Sequence, residues 1–110
     1  MALYMTQAAY TPETWAQLTK NPEDRSQAVA AALQQLGGRL VSLYHSFGDY
    51  DTVVIYEAPD QTTATTYAMA VLAAGHVRTS TTTQLLTTQE AMEAMRRAGT
   101  VELQTPADRQ

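Results

Sequence analysis

The chain has 110 residues and a mass of 12.0 kDa, room for one compact core but not for a cofactor domain beside a substrate domain. It contains no cysteine, which excludes thiolate metal sites, thiol nucleophiles and iron–sulfur ligation. Seven basic residues against 11 acidic ones leave a net charge of -4, which argues against nucleic acid, and no apolar run approaches the ~20 residues of a membrane span.

Leu3 to Tyr10 alternates Leu3, Met5 and Ala9 against Tyr4, Thr6, Ala8 and Tyr10, a period of two that predicts a strand. Thr11-Pro12-Glu13 is a helix start: an N-cap hydroxyl, then proline, then an acid in the first turn. Asn21-Pro22-Glu23-Asp24 repeats that signature, so a short helix to about Lys20 is expected to give way to a longer one. Along the second helix Ala28, Val29, Ala32, Leu33 and Leu36 form the apolar stripe, and Gly37-Gly38 stops it. Leu40 to Phe47 and Thr52 to Glu57 read as strands around Gly48-Asp49-Tyr50-Asp51. Val53-Val54-Ile55-Tyr56 is apolar on both faces and is expected inside the sheet. Pro59-Asp60 caps a helix running to about Ala74, with Ala64, Ala68, Val71 and Leu72 as its stripe and Gly75 as its stop. Val77 to Leu86 is a Thr-rich strand. Thr87 and Glu90 make a capping box for a last helix through Ala98, with Gly99 past its end. Residues 1–99 are therefore expected to form a single domain and residues 100–110 a flexible tail. The first residues carry neither a basic n-region nor an apolar h-region, so a soluble cytoplasmic protein is expected.

The order βαββαβ with an appended helix is that of the ferredoxin-like split βαβ arrangement, an α+β fold with a four-stranded antiparallel sheet and both helices on one face. Strand parity divides the sheet. We assign Leu3, Met5, Val41, Leu43, Val53 and Ile55 to the helix side, and Tyr4, Thr6, Ala8, Ser42, Tyr44, Val54 and Tyr56 to the open side. A face rich in tyrosine is too apolar to stay solvated, so it is expected to pack on a second copy, giving a homodimer or a higher homo-oligomer. Keeping both faces intact requires Tyr44 opposite Val54, which predicts a three- or five-residue loop, or a bulge near it, with Tyr50 off the ladder.

Tyr44, Gly48-Asp49-Tyr50-Asp51 and the strand ending Glu57-Ala58-Pro59-Asp60 resemble the GYD domain, named for its Gly-x-Tyr-Asp element. Tyr10-Thr11-Pro12-Glu13, Gly37-Gly38 and Gly75-x-Val77-Arg78-Thr79 match in order, so the likeness runs from about Tyr4 to Leu86. The resemblance implies a ferredoxin-like fold of the dimeric α/β-barrel kind and no defined reaction. His45 and His76 depart from it, standing where an aromatic residue and Asn are expected.

The candidate ligand-binding residues are Tyr4, Tyr44, Tyr50, Asp51, Tyr56 and Arg78. Asp51 has a structural reading as well, a carboxylate at a turn exit accepting backbone N–H groups beside a Gly48 free to take positive φ. Arg78 pairs with Glu57 or Asp51, or holds an anion. Tyr44 and Tyr56 as proton donors are set against simple packing. His45, Asp51 and His76 have no metal-motif spacing, and the two histidines read as solvent-facing strand ends; no metal or cofactor is expected. Catalytic residues cannot be named, because no Ser-His-Asp order, phosphate loop or dinucleotide fingerprint occurs. Three classes remain: a homo-oligomer binding a small molecule between facing sheets, which we favour; a cofactor-free oxygenase- or isomerase-like enzyme; and an oligomeric interaction module without ligand.

Overall fold

A computed structural model describes residues 1–106. The elements follow in the order β1 (Ala2–Tyr10), α1 (Pro12–Lys20), α2 (Ser26–Gln35), β2 (Arg39–His45), β3 (Thr52–Ala58), α3 (Gln61–Ala73), β4 (Val77–Leu85) and α4 (Thr88–Ala98). The strands form one antiparallel sheet in the order β2-β3-β1-β4, so β3 is internal as its two-sided apolar sequence requires. This is the expected α+β, ferredoxin-like topology. α2 lies against β2 and α3 against β4, both on the same face of the sheet.

The start and stop signals act as read. Thr11 Oγ1 accepts the N–H of Thr14, Asp60 Oδ1 accepts that of Thr63, and at Thr87 and Glu90 both bonds of the capping box are made. Gly37 ends α2 at φ 78° and Gly75 follows α3 at φ 84°, conformations that cost a side-chain-bearing residue strain. The second helix differs: Asn21 to Asp24 stay non-helical and α2 begins at Ser26, whose N–H is held by Asp24 Oδ1. Of the expected tail, residues 101–105 carry neither helix nor strand, and residues 107–110 lie outside the described ones.

On β1 and β3 the two faces of the sheet are the reverse of the parity assignment, whereas on β2 Leu43 packs on the core and Tyr44 is exposed, as assigned. Tyr4, Thr6, Ala8, Val54 and Tyr56 are buried beneath the helices, whereas Leu3, Met5, Val53 and Ile55 are only half-buried on the open side. Volume explains this. The helices bury two large residues, Leu33 and Tyr67, with Ala64 fully buried and Val29, Ala32 and Val71 packed around them, which leaves room in the layer for the rings of Tyr4 and Tyr56 from the strands. Tyr56 stacks on Tyr4 at 6.0 Å and meets Tyr67 edge-on at 5.1 Å. Its buried hydroxyl is paired with Thr6 Oγ1 at 2.8 Å, which removes the cost of a phenol in the core.

The β2–β3 register differs too. Tyr44 stands opposite Val53 and His45 opposite Thr52, while Leu40 stands opposite Tyr56, because the register shifts at Val41. Ser46 N–H donates to Asp51 O at 2.9 Å, leaving Phe47, Gly48, Asp49 and Tyr50 as a four-residue loop. An even loop puts Leu43 under the helices and Tyr44 on the open side, and the bulge at Val41 then restores Leu40 to the core. Gly48 does not have positive φ, so its expected conformational role is absent.

Candidate functional site

Because α2 leans on β2 and α3 on β4, a gap stays open over the middle of the sheet, roofed toward one end by α1. It is a cavity of about 580 Å3, within the roughly 300–1,000 Å3 of small-molecule sites. Its floor is Thr6, Ala8, Leu43, Thr52 and Val54; its walls are Ala28, Val29 and Ala32 of α2 and Tyr67, Ala70 and Val71 of α3. The ionisable side chains of the lining are Tyr10, Glu23, Arg25, His45, Tyr67 and His76. Among the described residues, no cluster of three or more His, Cys, Asp or Glu side chains is placed to hold a metal ion.

Two phenols in this lining are unusual. Tyr67 is 4% exposed, and its hydroxyl makes no hydrogen bond among the described residues. Burial pushes its pKa up to about 12, with Arg25 pulling the other way and Tyr56 and Tyr10 nearby. Tyr10 is half-buried and its pKa is likewise raised by burial, opposed again by Arg25. Tyr10, Tyr67 and Arg25 are thus within electrostatic reach of one another. The Arg25 guanidinium is 3.2 Å from Glu23 Oε1. Tyr10 is positioned by its neighbours: its ring meets Trp15 edge-on at 5.3 Å, Trp15 stacks on Phe47 of the β2–β3 loop, and its N–H donates to Asp51 Oδ2 at 2.8 Å.

The six residues picked from sequence do not come together. Tyr4 and Tyr56 are core residues under the helices. Tyr44 is 61% exposed on the open face. Tyr50 lies across the sheet, its hydroxyl 2.7 Å from Thr81 Oγ1. Asp51 ties the loop to β1 through Tyr10 N–H and through its own N–H to Ala8 O. Arg78 is exposed and pairs with neither expected partner, since Glu57 is held by Arg39 at 2.8 Å, which keeps its carboxyl below the usual range, and Asp51 by Tyr10.

The family model described as GYD domain matches residues 4–95, which includes the loop and every wall of the cavity. The chain belongs to the GYD domain family. No curated protein matches it. Two solved structures show a related fold. The crystal structure of MtbAldR has a TM-score of 0.54 at 13% identity, covering 78% of this chain and 52% of that one, so the GYD chain spans about half of MtbAldR. TTHA0845 from Thermus thermophilus has a TM-score of 0.52 at 17% identity, covering 79% of this chain and 95% of that one. At such identities the likeness is one of fold alone.

Within this GYD domain, sequence reasoning missed Tyr10, Arg25 and Tyr67; His45 and His76 are exposed, as read, and also line the cavity. A signal for Tyr67 existed: it falls three residues after Ala64 and four before Val71, on the buried stripe of α3. Arg25 had none, because it lies in the segment whose capping signature points to helix.

Proposed function

We propose that this GYD domain binds a small, mainly apolar molecule in the cavity between its sheet and its helices, and does so as a homo-oligomer joined through the open sheet face. The observation that carries the reading is the cavity of about 580 Å3 with apolar walls, onto which the Tyr67 hydroxyl opens with no hydrogen bond to any described residue. A phenol O–H at an apolar wall is a donor that a polar group on a bound molecule can meet. Catalysis is not required by this arrangement. The self-association half of the reading rests on Leu3, Met5, Val53 and Ile55 of the two central strands, an aliphatic surface outside the core.

The test uses a neutral apolar fluorophore, N-phenylnaphthylamine. Saturable binding is expected, and Ala70→Phe, which projects a ring from the α3 wall into the gap, is expected to weaken it about tenfold. Absence of saturable binding by the folded protein, or equal binding by the variant, would overturn the reading.

A further inference from the structure

We propose that the molecule held in this cavity is an apolar carboxylic acid, its carboxylate received by Arg25 and the hydroxyls of Tyr10 and Tyr67; the inference rests on the cavity being a binding site. The lining is apolar along Ala28, Val29, Ala32 and Val71, and Arg25 stands within electrostatic reach of both phenols, which suits a body with one charged end. Donors predominate there. Among the described residues neither the Tyr67 nor the Tyr10 hydroxyl makes a hydrogen bond, and both phenols stay protonated at neutral pH. Arg25 has five N–H groups in a planar fork and offers one nitrogen, Nη1, to Glu23.

Competing ligand classes fit less well. Glu23 is the one carboxylate of the lining, and the Arg25 guanidinium neutralises it, so a cation would meet an arginine and two histidines without an unpaired anion. A neutral alcohol would satisfy one phenol and leave the guanidinium unused. A carboxylate has four lone-pair sites and accepts from all three groups at once, and charge-assisted bonds of this kind are the strong ones. The side chain of Arg25 caps nothing at the start of α2, so its donors are free of a structural task there.

Displacement of bound N-phenylnaphthylamine by decanoate and by decanol at neutral pH decides the matter. Decanoate is expected to displace the probe at about one-tenth of the decanol concentration, since one hydrogen bond to a charged group corresponds to roughly tenfold or more. Tyr67→Phe and Arg25→Met are each expected to bring the two concentrations within about twofold of each other, leaving decanol unchanged. Tyr67→Phe keeps the ring that packs on Tyr56 and removes a hydroxyl with no partner, so its fold is retained, and a thermal melt checks this. Equal displacement by the two compounds in the wild type, or a preference for decanoate that survives both substitutions, overturns the proposal while the probe's own binding keeps the cavity reading intact. Failure of the probe to bind overturns both.

Discussion

The Asp51 carboxylate closes the end of β1. Its Oδ2 accepts Tyr10 N–H at 2.8 Å, and the Asp51 N–H donates to Ala8 O at 2.8 Å, so one residue joins the loop to the strand beside it. That geometry is the one the structural reading of Asp51 describes, and it separates Asp51 from Arg78, whose side chain is exposed and makes no ion pair or hydrogen bond among the described residues. Asp51→Ala leaves a backbone N–H unpaired and removes a charge-assisted bond, a loss of about 2 kcal/mol that lowers the melting temperature by roughly 10 °C. Arg78→Ala is expected to stay within about 0.5 kcal/mol of the wild type, as surface changes away from such features do. Thermal denaturation of both variants measures this; an equal fall for Arg78→Ala would mean that its side chain holds the fold in a way the observed contacts do not contain.

At the level of elements, local chemistry was legible and the choice of face was not. Thr11, Asp60 and Thr87 announce helix starts because a side-chain oxygen there meets a backbone N–H three residues on, an interaction contained within one turn. Period-two alternation in β1 and β-branched, aromatic runs elsewhere likewise mark the strands, but parity defines two faces without saying which one the helices cover. That depends on volume across the layer: alanine-rich helices leave space that Tyr4 and Tyr56 fill, and Leu3, Met5, Val53 and Ile55 then face outward. The bulge at Val41 hid the register because it lets an even loop and an intact core coexist. The cavity was not legible for the same reason, as it arises from how far α2 and α3 stand apart. The glycines give a sharp test at this scale. A Cβ on Gly38 would sit 2.5 Å from the Glu57 carbonyl oxygen, a backbone atom in the β2–β3 pairing, whereas a Cβ on Gly48 meets nothing within 4 Å. Gly38→Ala is expected to cost about 1–3 kcal/mol, and Gly48→Ala to be neutral or to stabilise by up to about 1 kcal/mol through the unfolded chain. Denaturant midpoints measure both; a large loss for Gly48→Ala would mean that the glycine of the family's eponymous turn has a role beyond its backbone.

The whole molecule exposes more surface than its size calls for. It presents 7867 Å2, where a compact 12.0 kDa monomer presents about 6,000 Å2, and its radius of gyration is 18.1 Å against about 13 Å expected. The excess is more than the ~800 Å2 that each partner buries in a standard interface. Part of it comes from residues 99–106, all exposed, and two further surfaces contribute. One is the open sheet face, where Met5 stands beside Ile55 on the central strands and Tyr44 is 61% exposed at the edge. The other is α4, which has no buried residue and carries Met92 and Met95 at 45% and 68% exposure. They are continuous, since Leu85, paired with Leu3 at the end of β4, precedes the α4 cap by two residues. A second copy related by a two-fold axis would cover the first surface with its own equivalent, which requires no partner of different chemistry. The wild type is therefore expected to sediment at micromolar concentration as at least twice 12.0 kDa, and Ile55→Glu, which sets a carboxylate at the centre of the aliphatic face, to sediment as a folded monomer. Met95→Glu separates the two surfaces: an assembly that survives it is built by the sheet alone, and one that dissolves needs α4 as well. A wild type that sediments as a monomer would leave Leu3, Met5, Val53 and Ile55 as surface that the monomer itself exposes, and the self-association half of the reading would fall while the cavity stood.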